Sequence, residues 1–188
     1  MFDTGAGKLE ILARRVGKNE LNAIRVCLAY VDAQREYAMR KAHQGEDLLE
    51  YAQKFESTQG KQDGLYWETG EGQEQSPRGP LFAAARGQGY SGQPLGEPEP
   101  YHGYLYRILT AQGKNAPGGA QDYVVGGKMI GGFALIAYPA HYGASGVMTF
   151  IVNHDGVVYQ KNLGRDTKKA VQAIKAFDPD KTWTRVSG

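Results

Sequence analysis

"GVMTFIVNHDGVVYQKNLG", residues 146–164, holds the pattern that decides the fold. Two runs rich in Val, Ile, Phe and Tyr flank the polar stretch Asn153-His154-Asp155-Gly156. Asp-Gly supplies the positive backbone angles that a tight reversal needs, so the stretch reads as an antiparallel hairpin. His154 and Asp155 lie side by side at its tip, which raises the question of acid–base chemistry. That chemistry needs a group held in a pocket within reach of substrate. A tip with no concave surface around it offers none, and the pair is read as exposed turn residues.

The same two-residue alternation extends upstream. "GYLYRILTA" (103–111) alternates Tyr104, Tyr106 and Ile108 against Leu105, Arg107 and Leu109. "DYVV", the tight turn "GGKMIGG" and "GFALIAYPA" follow, each bounded by Gly, Asn or Pro. Together these predict an antiparallel sheet of about four strands over 101–164. Beyond it, "RDTKKAVQAIKAFDPD" places Val171, Ile174 and Phe177 on one face, with Asp166 as N-cap and Asp178-Pro179 as the stop.

Residues 8–56 read as helical. "KLEILARRV" carries Leu9, Leu12 and Val16 at helical spacing, with Gly17 as its C-terminal cap. Asn19 suits an N-cap for the next helix, in which Leu21, Ile24, Leu28 and Val31 form a stripe widened by Ala23, Val26, Tyr30, Ala33 and Tyr37. A face so broad must lie against a sheet or other helices. "GEDLLEYAQKF" predicts a third, shorter helix, with Asp47 as N-cap and Glu50 at the capping-box position. Residues 57–100 change character and carry five of the eight prolines. They read as a long Gly/Pro-rich loop region, with a brief helix at Pro80 and with "DGLYW" (63–67) and Tyr90 as aromatic anchors. The fold class is α+β: a long N-terminal helix on an antiparallel sheet, then a C-terminal helix and tail over 165–188, all one domain.

Composition narrows the function. The longest apolar run, "FALIAY" (133–138), is far shorter than the roughly 20 residues that span a bilayer. Residues 101–188 carry ten bases against five acids, yet no basic cluster stands out, so the excess is read as solvated surface and nucleic acid is discounted. The single cysteine, Cys27, excludes an internal disulfide and reads as packed in the helix. His43, His102, His141 and His154 show no metal-ligand spacing, and no nucleophile elbow or phosphate-cradling loop occurs. No catalytic residue, metal or cofactor is therefore assigned. The remaining candidate is aromatic: Asp63, Tyr66, Trp67, Tyr101, His102, Tyr104 and Arg107, with Tyr106 beside them. Aromatics next to an arginine suit a groove for a peptide, a glycan or another protein. The same residues also suit strand core and loop anchors.

"NELNAIRVCLAYVDAQREYA", "GKQDGLYW", "YHGYLYRILTAQGKNAPGGAQDYVVGGKMIGGFALIAYPAHYG" and the opening hairpin together resemble a bacterial family catalogued as domain of unknown function 2950. The resemblance runs through nearly the whole chain, in order. It implies an exported protein, periplasmic or outer-envelope associated and often of lipoprotein type. It also implies a signal and a further segment ahead of "MFDTGAGKLEIL", which then reads as the boundary of a fragment. It brings no catalytic residues. At the level of architecture, the helix followed by a variable loop and sheet is similar to the globular part of type IV pilin-like proteins. Pilins, however, begin that helix with a strongly apolar anchor, whereas "KLEILARRVGKNEL" is full of charge. The expected function is a non-enzymatic cell-envelope module, structural or binding a protein, peptide or glycan partner. The alternative is a peptide- or glycan-binding pocket, in one form hydrolytic, between the 57–100 loop and the sheet.

Overall fold

The computed structural model describes residues 4–43, 48–69, 75–77 and 100–187. The helix expected at Pro80, the anchor Tyr90, the cap Asp47 and most of the 57–100 loop lie outside them.

One helix, α1 (Thr4–His43), replaces the two that Gly17 was expected to separate. Glycine costs an exposed helix about 1 kcal/mol relative to alanine, which 40 residues of continuous hydrogen bonding override. Asn19 is accordingly no cap; its Nδ2 donates to the Ser145 carbonyl (2.9 Å). The buried stripe is Ala23, Val26, Cys27, Tyr30, Val31, Ala33, Tyr37 and Ala38, while Leu21 and Leu28 are exposed. The inward face is thus centred on the small and aromatic residues rather than on the leucines. Burying each large side chain there contributes about 1.5–3 kcal/mol.

The third helix does not form among the described residues 48–56. Tyr51 bridges to Met129, and Ala52 is held on both sides by Gln34 of α1. Ala52 N donates to Gln34 Oε1 (2.8 Å) and Gln34 Nε2 donates to Ala52 O (2.8 Å), so a buried helix amide serves the segment as a strand partner. The chain then folds on itself, with Ser57 N donating to Tyr66 O and Tyr66 N to Phe55 O. Gly64 permits the approach, since a Cβ there would come within 2.6 Å of the Glu56 carbonyl carbon.

Strands β1 (Tyr104–Leu109), β6 (Ala134–Pro139), β7 (Met148–Asn153), β8 (Val158–Asn162) and β9 (Thr184–Arg185) form one sheet in the order β1-β6-β7-β8-β9, every pair antiparallel. β9 is the strand the sequence did not announce. Two short ribbons sit beside the sheet: β2 (Ala111–Gln112) with β3 (Gln121–Asp122), and β4 (Val124–Val125) with β5 (Lys128–Met129). The turn between β4 and β5 uses Gly126 and Gly127, both at positive φ. The 146–164 hairpin forms, but at its tip Gly156 (φ 78°) and not Asp155 takes a positive φ, and the turn over His154 and Asp155 is closed by Gly156 N donating to Asn153 O (2.9 Å).

Side chains alternate faces along each strand. Tyr104, Ala137 and Phe150 share the face toward α1, where Glu20 and Cys27 neighbour Tyr104. Arg107, Ile136 and Ile151 share the other, against α2 (Thr167–Ala173). With both faces covered, Ala134–Ala137 and Thr149–Asn153 are buried. α2 is shorter than its periodicity suggested. Asp166 makes no side-chain cap, and the chain turns extended at Ile174 to carry Phe177 into the core, where it pairs with Ala111 and Gly113.

Candidate functional site

Six of the seven residues singled out by sequence fall into two groups, and Arg107 stands apart on the sheet face toward α2. Asp63, Tyr66 and Trp67 lie by the C-terminal part of α1, where Arg40 sits over the Trp67 ring (5.9 Å to the centroid). Tyr101, His102 and Tyr104 lie by its first half, where Lys18 neighbours His102. At roughly 1.5 Å per residue, α1 rises about 33 Å between Lys18 and Arg40. The structure does not bring the two groups into one groove.

Several of these side chains are already engaged. Asp63 accepts from Lys54 Nζ (2.7 Å), Thr58 N (2.7 Å) and Thr58 Oγ1 (2.9 Å), bracing the loop that carries it. The lysine hydrogen bond is the largest reason its carboxyl is held well below the usual range. Tyr104 is fully buried and donates to Met148 O (2.8 Å); burial pushes its phenol far up. Arg107 Nη2 donates to the carbonyls of Val171 (2.8 Å) and Ile174 (2.7 Å), closing the end of α2. His102 packs on Tyr101 (ring centroids 4.2 Å apart) with its pKa lowered by burial and then by Lys18.

His154 is not an exposed tip residue. Its ring lies edge-on to Tyr123 (5.8 Å) and Phe133 (6.1 Å), its side chain is 32% exposed, and its Nδ1 is buried without a hydrogen-bond partner. Gly132 makes the room, because a Cβ there would come within 2.6 Å of Nδ1. Nε2 stands 3.9 Å from Asp155 Oδ1, beyond hydrogen-bond range, so the pair is no acid–base dyad. Arg35 Nη2 donates to the His154 carbonyl (2.9 Å) and ties the tip to α1.

A concave site does form at the end of β6. A cleft of about 640 Å³ opens between the loop at His141–Gly143 and the start of α2, lined by His141, Tyr142, Arg165, Thr167 and Lys168 over a floor that includes Pro139. Its volume is that of a small-ligand pocket. Ser145 N donates to His141 O (2.9 Å) and Gly143 N to Gly146 O (2.8 Å), which curls the first wall. α1 pins that wall through Arg15 Nη2 to Ala144 O (3.2 Å) and through Glu20 Oε1, which accepts from Val147 N (2.9 Å) and Met148 N (3.0 Å). The second wall turns at Gly164, whose carbonyl accepts from Thr167 Oγ1 (2.6 Å). No carboxylate among the described residues lines the cleft. Among the described residues, the side chains of His141, Arg165 and Lys168 have no hydrogen-bond or ion-pair partner. Such an arrangement is suited to holding an anionic group.

Over residues 1–186 the chain matches the model of the family described as "Protein of unknown function (DUF2950)". The chain belongs to the DUF2950 family. Comparison with curated proteins and with solved structures finds no match in either. Family membership names no activity, so the functional reading of this DUF2950 chain rests on its own residues. Among those described, no group of three or more His, Cys, Asp and Glu is placed to hold a metal ion. No helix there is long and apolar enough to cross a membrane.

Sequence reasoning passed over His141, Arg165 and Lys168. The available signal was the run "GRDTKK" (164–169) within the basic C-terminal region, read as solvated surface. That His141 would face it depends on how β6 meets α2, which no local pattern encodes.

Proposed function

We propose that this DUF2950 protein is a non-enzymatic binding module of the bacterial cell envelope. Its basic cleft takes the acidic group of a peptide or glycan. One observation carries the reading: two uncompensated cations and a histidine converge on a concave surface that no carboxylate among the described residues lines. The non-enzymatic part is supported by the engagement of Asp63, Tyr104 and Arg107 in structural hydrogen bonds. The envelope location is supported by the resemblance of the sequence to an exported family, and the pilin-like layout enters only as a helix-on-sheet frame.

The test is calorimetric titration at low salt with hexuronic-acid oligosaccharides and with acidic peptides. Wild type should bind one class, more weakly as salt rises, because exposed charges are screened. Arg165→Ala/Lys168→Ala should lose about tenfold or more, as hydrogen bonds to charged groups contribute about 1.5–3 kcal/mol each. Absence of binding to both classes, or equal binding by the double variant, would sink the reading.

A further inference from the structure

A second pocket, of about 490 Å³, lies between α2, β8 and the C-terminal segment and shares no lining residue with the basic cleft. Its floor is apolar: Ile151 of the core, with Leu163 and Ile174 packed against it. Trp183 forms a wall, and Lys161 Nζ sits over its ring, 5.8 Å from the centroid, bonded to Thr182 Oγ1 (2.6 Å).

The rim differs in kind from that of the cleft. It carries Lys161 and Lys175 against Asp178 and Asp180, so its formal charge cancels. Among the described residues, both aspartates accept hydrogen bonds through one oxygen only. Asp178 Oδ1 accepts from Asn115 N (2.8 Å) and Asn115 Nδ2 (3.0 Å), and Asp180 Oδ1 accepts from Thr182 N (2.8 Å) and Thr182 Oγ1 (2.5 Å). The Oδ2 atoms are left for another donor, and among the described residues the Lys175 ammonium has no partner. A purely anionic ligand would meet two carboxylates, and a purely cationic one two ammonium groups. A ligand bearing both charges beside an apolar group is complementary to the whole lining.

We infer that this pocket binds a free α-amino acid with a large apolar side chain. The ammonium group faces Asp178 and Asp180, the carboxylate faces Lys175, and the side chain lies on Ile151, Leu163 and Trp183. For a ligand of this size the expected Kd is about 0.1–1 mM.

Amide and indole shifts in ¹⁵N NMR test it on the full chain. L-Phenylalanine should shift the Trp183 indole and the amides of Ala173 and Lys175. Phenylpropionate, phenethylamine and glycine, each lacking one recognised group, should bind at least about tenfold more weakly, as expected when a charge-assisted hydrogen bond or a buried ring is lost. The dipeptide Gly-Phe, whose phenylalanine nitrogen is an uncharged amide, should likewise bind more weakly than phenylalanine. Lys175→Ala, at an exposed position, and Asp178→Asn, which keeps its acceptor for Asn115, should each weaken binding, while Arg165→Ala should not. Three results would overturn the inference: no shift with phenylalanine up to its solubility, phenylpropionate or Gly-Phe binding as tightly as phenylalanine, or affinity unchanged in both pocket variants.

Discussion

His102 takes a left-handed backbone (φ 50°) ahead of Gly103 (φ 76°), and two hydrogen bonds between Tyr101 and Tyr104 (2.8 and 3.0 Å) close this turn. A non-glycine residue there costs about 1–2 kcal/mol. His102→Gly should therefore match or exceed wild-type stability in urea denaturation. His102→Val, β-branched at positive φ, should lose about 1–3 kcal/mol. The imidazole adds a pH dependence whose sign follows from burial. With its pKa lowered in the folded state, the unfolded chain binds the proton first, so stability falls as pH drops below about 6.5 and levels off once the folded pKa is passed. Asp63 acts in the same direction in a more acid window: its contribution is present above the unfolded carboxylate pKa near 4 and is lost as pH falls through the depressed folded value. Denaturation midpoints across pH 3–7 should show two separate declines, with His102→Gly removing the upper one and Asp63→Asn reducing the lower, to which Asp180, its carboxyl lowered by the Thr182 hydrogen bonds, also contributes.

Within single elements, the distance between sequence pattern and structure is clearest on α1 and the segment after it. The strands β1, β6, β7 and β8 were legible because each one's code is local: branched or aromatic residues bounded by Gly, Asn or Pro. The extended course of residues 48–56 was not, since "DLLEYAQKF" has good helical spacing and its competing hydrogen bonds come from residues distant in sequence, Gln34 on α1 and Met129, together with the Leu65–Tyr66 return of the chain. Gln34→Leu would leave the Ala52 N–H and C=O unpaired in a buried place. The expected loss is about 2–4 kcal/mol in chemical denaturation, with faster hydrogen exchange at the Ala52 amide. Gly17 illustrates the opposite case, a local signal overruled by its surroundings. A Cβ at Gly17 meets nothing within 4 Å, and the helix runs through it. Gly17→Ala should accordingly raise stability by about 0.5–1 kcal/mol, read from the melting temperature.

Across the whole molecule, α1 does two jobs along its length. From Ala23 to Ala38 it covers one face of the sheet, whereas from Arg15 to Glu20 it fastens the loop that walls the basic cleft. The two groups of the proposed aromatic site stand at different points along this helix. Their residue types could be read from sequence, but their separation could not, because it is a property of a rod longer than the sheet is wide. The cleft escaped notice for the same reason: its histidine follows β6 while its two cations sit at the start of α2, and only tertiary packing brings the two walls together. The division of α1 can be tested in one experiment. Leu9 and Ile11 are exposed, 69% and 70% respectively, so removal of residues 1–13 should leave the melting temperature nearly unchanged. Glu20→Ala should instead strip the acceptor from two backbone N–H groups, at Val147 and Met148, costing about 1–3 kcal/mol. Hydrogen exchange should then quicken at Gly143 and Ser145, and the cleft should lose affinity for acidic ligands although Glu20 does not line it. Equal destabilisation by the truncation and by Glu20→Ala would show that the first turns of α1 support the fold as well, and that the helix has no such division.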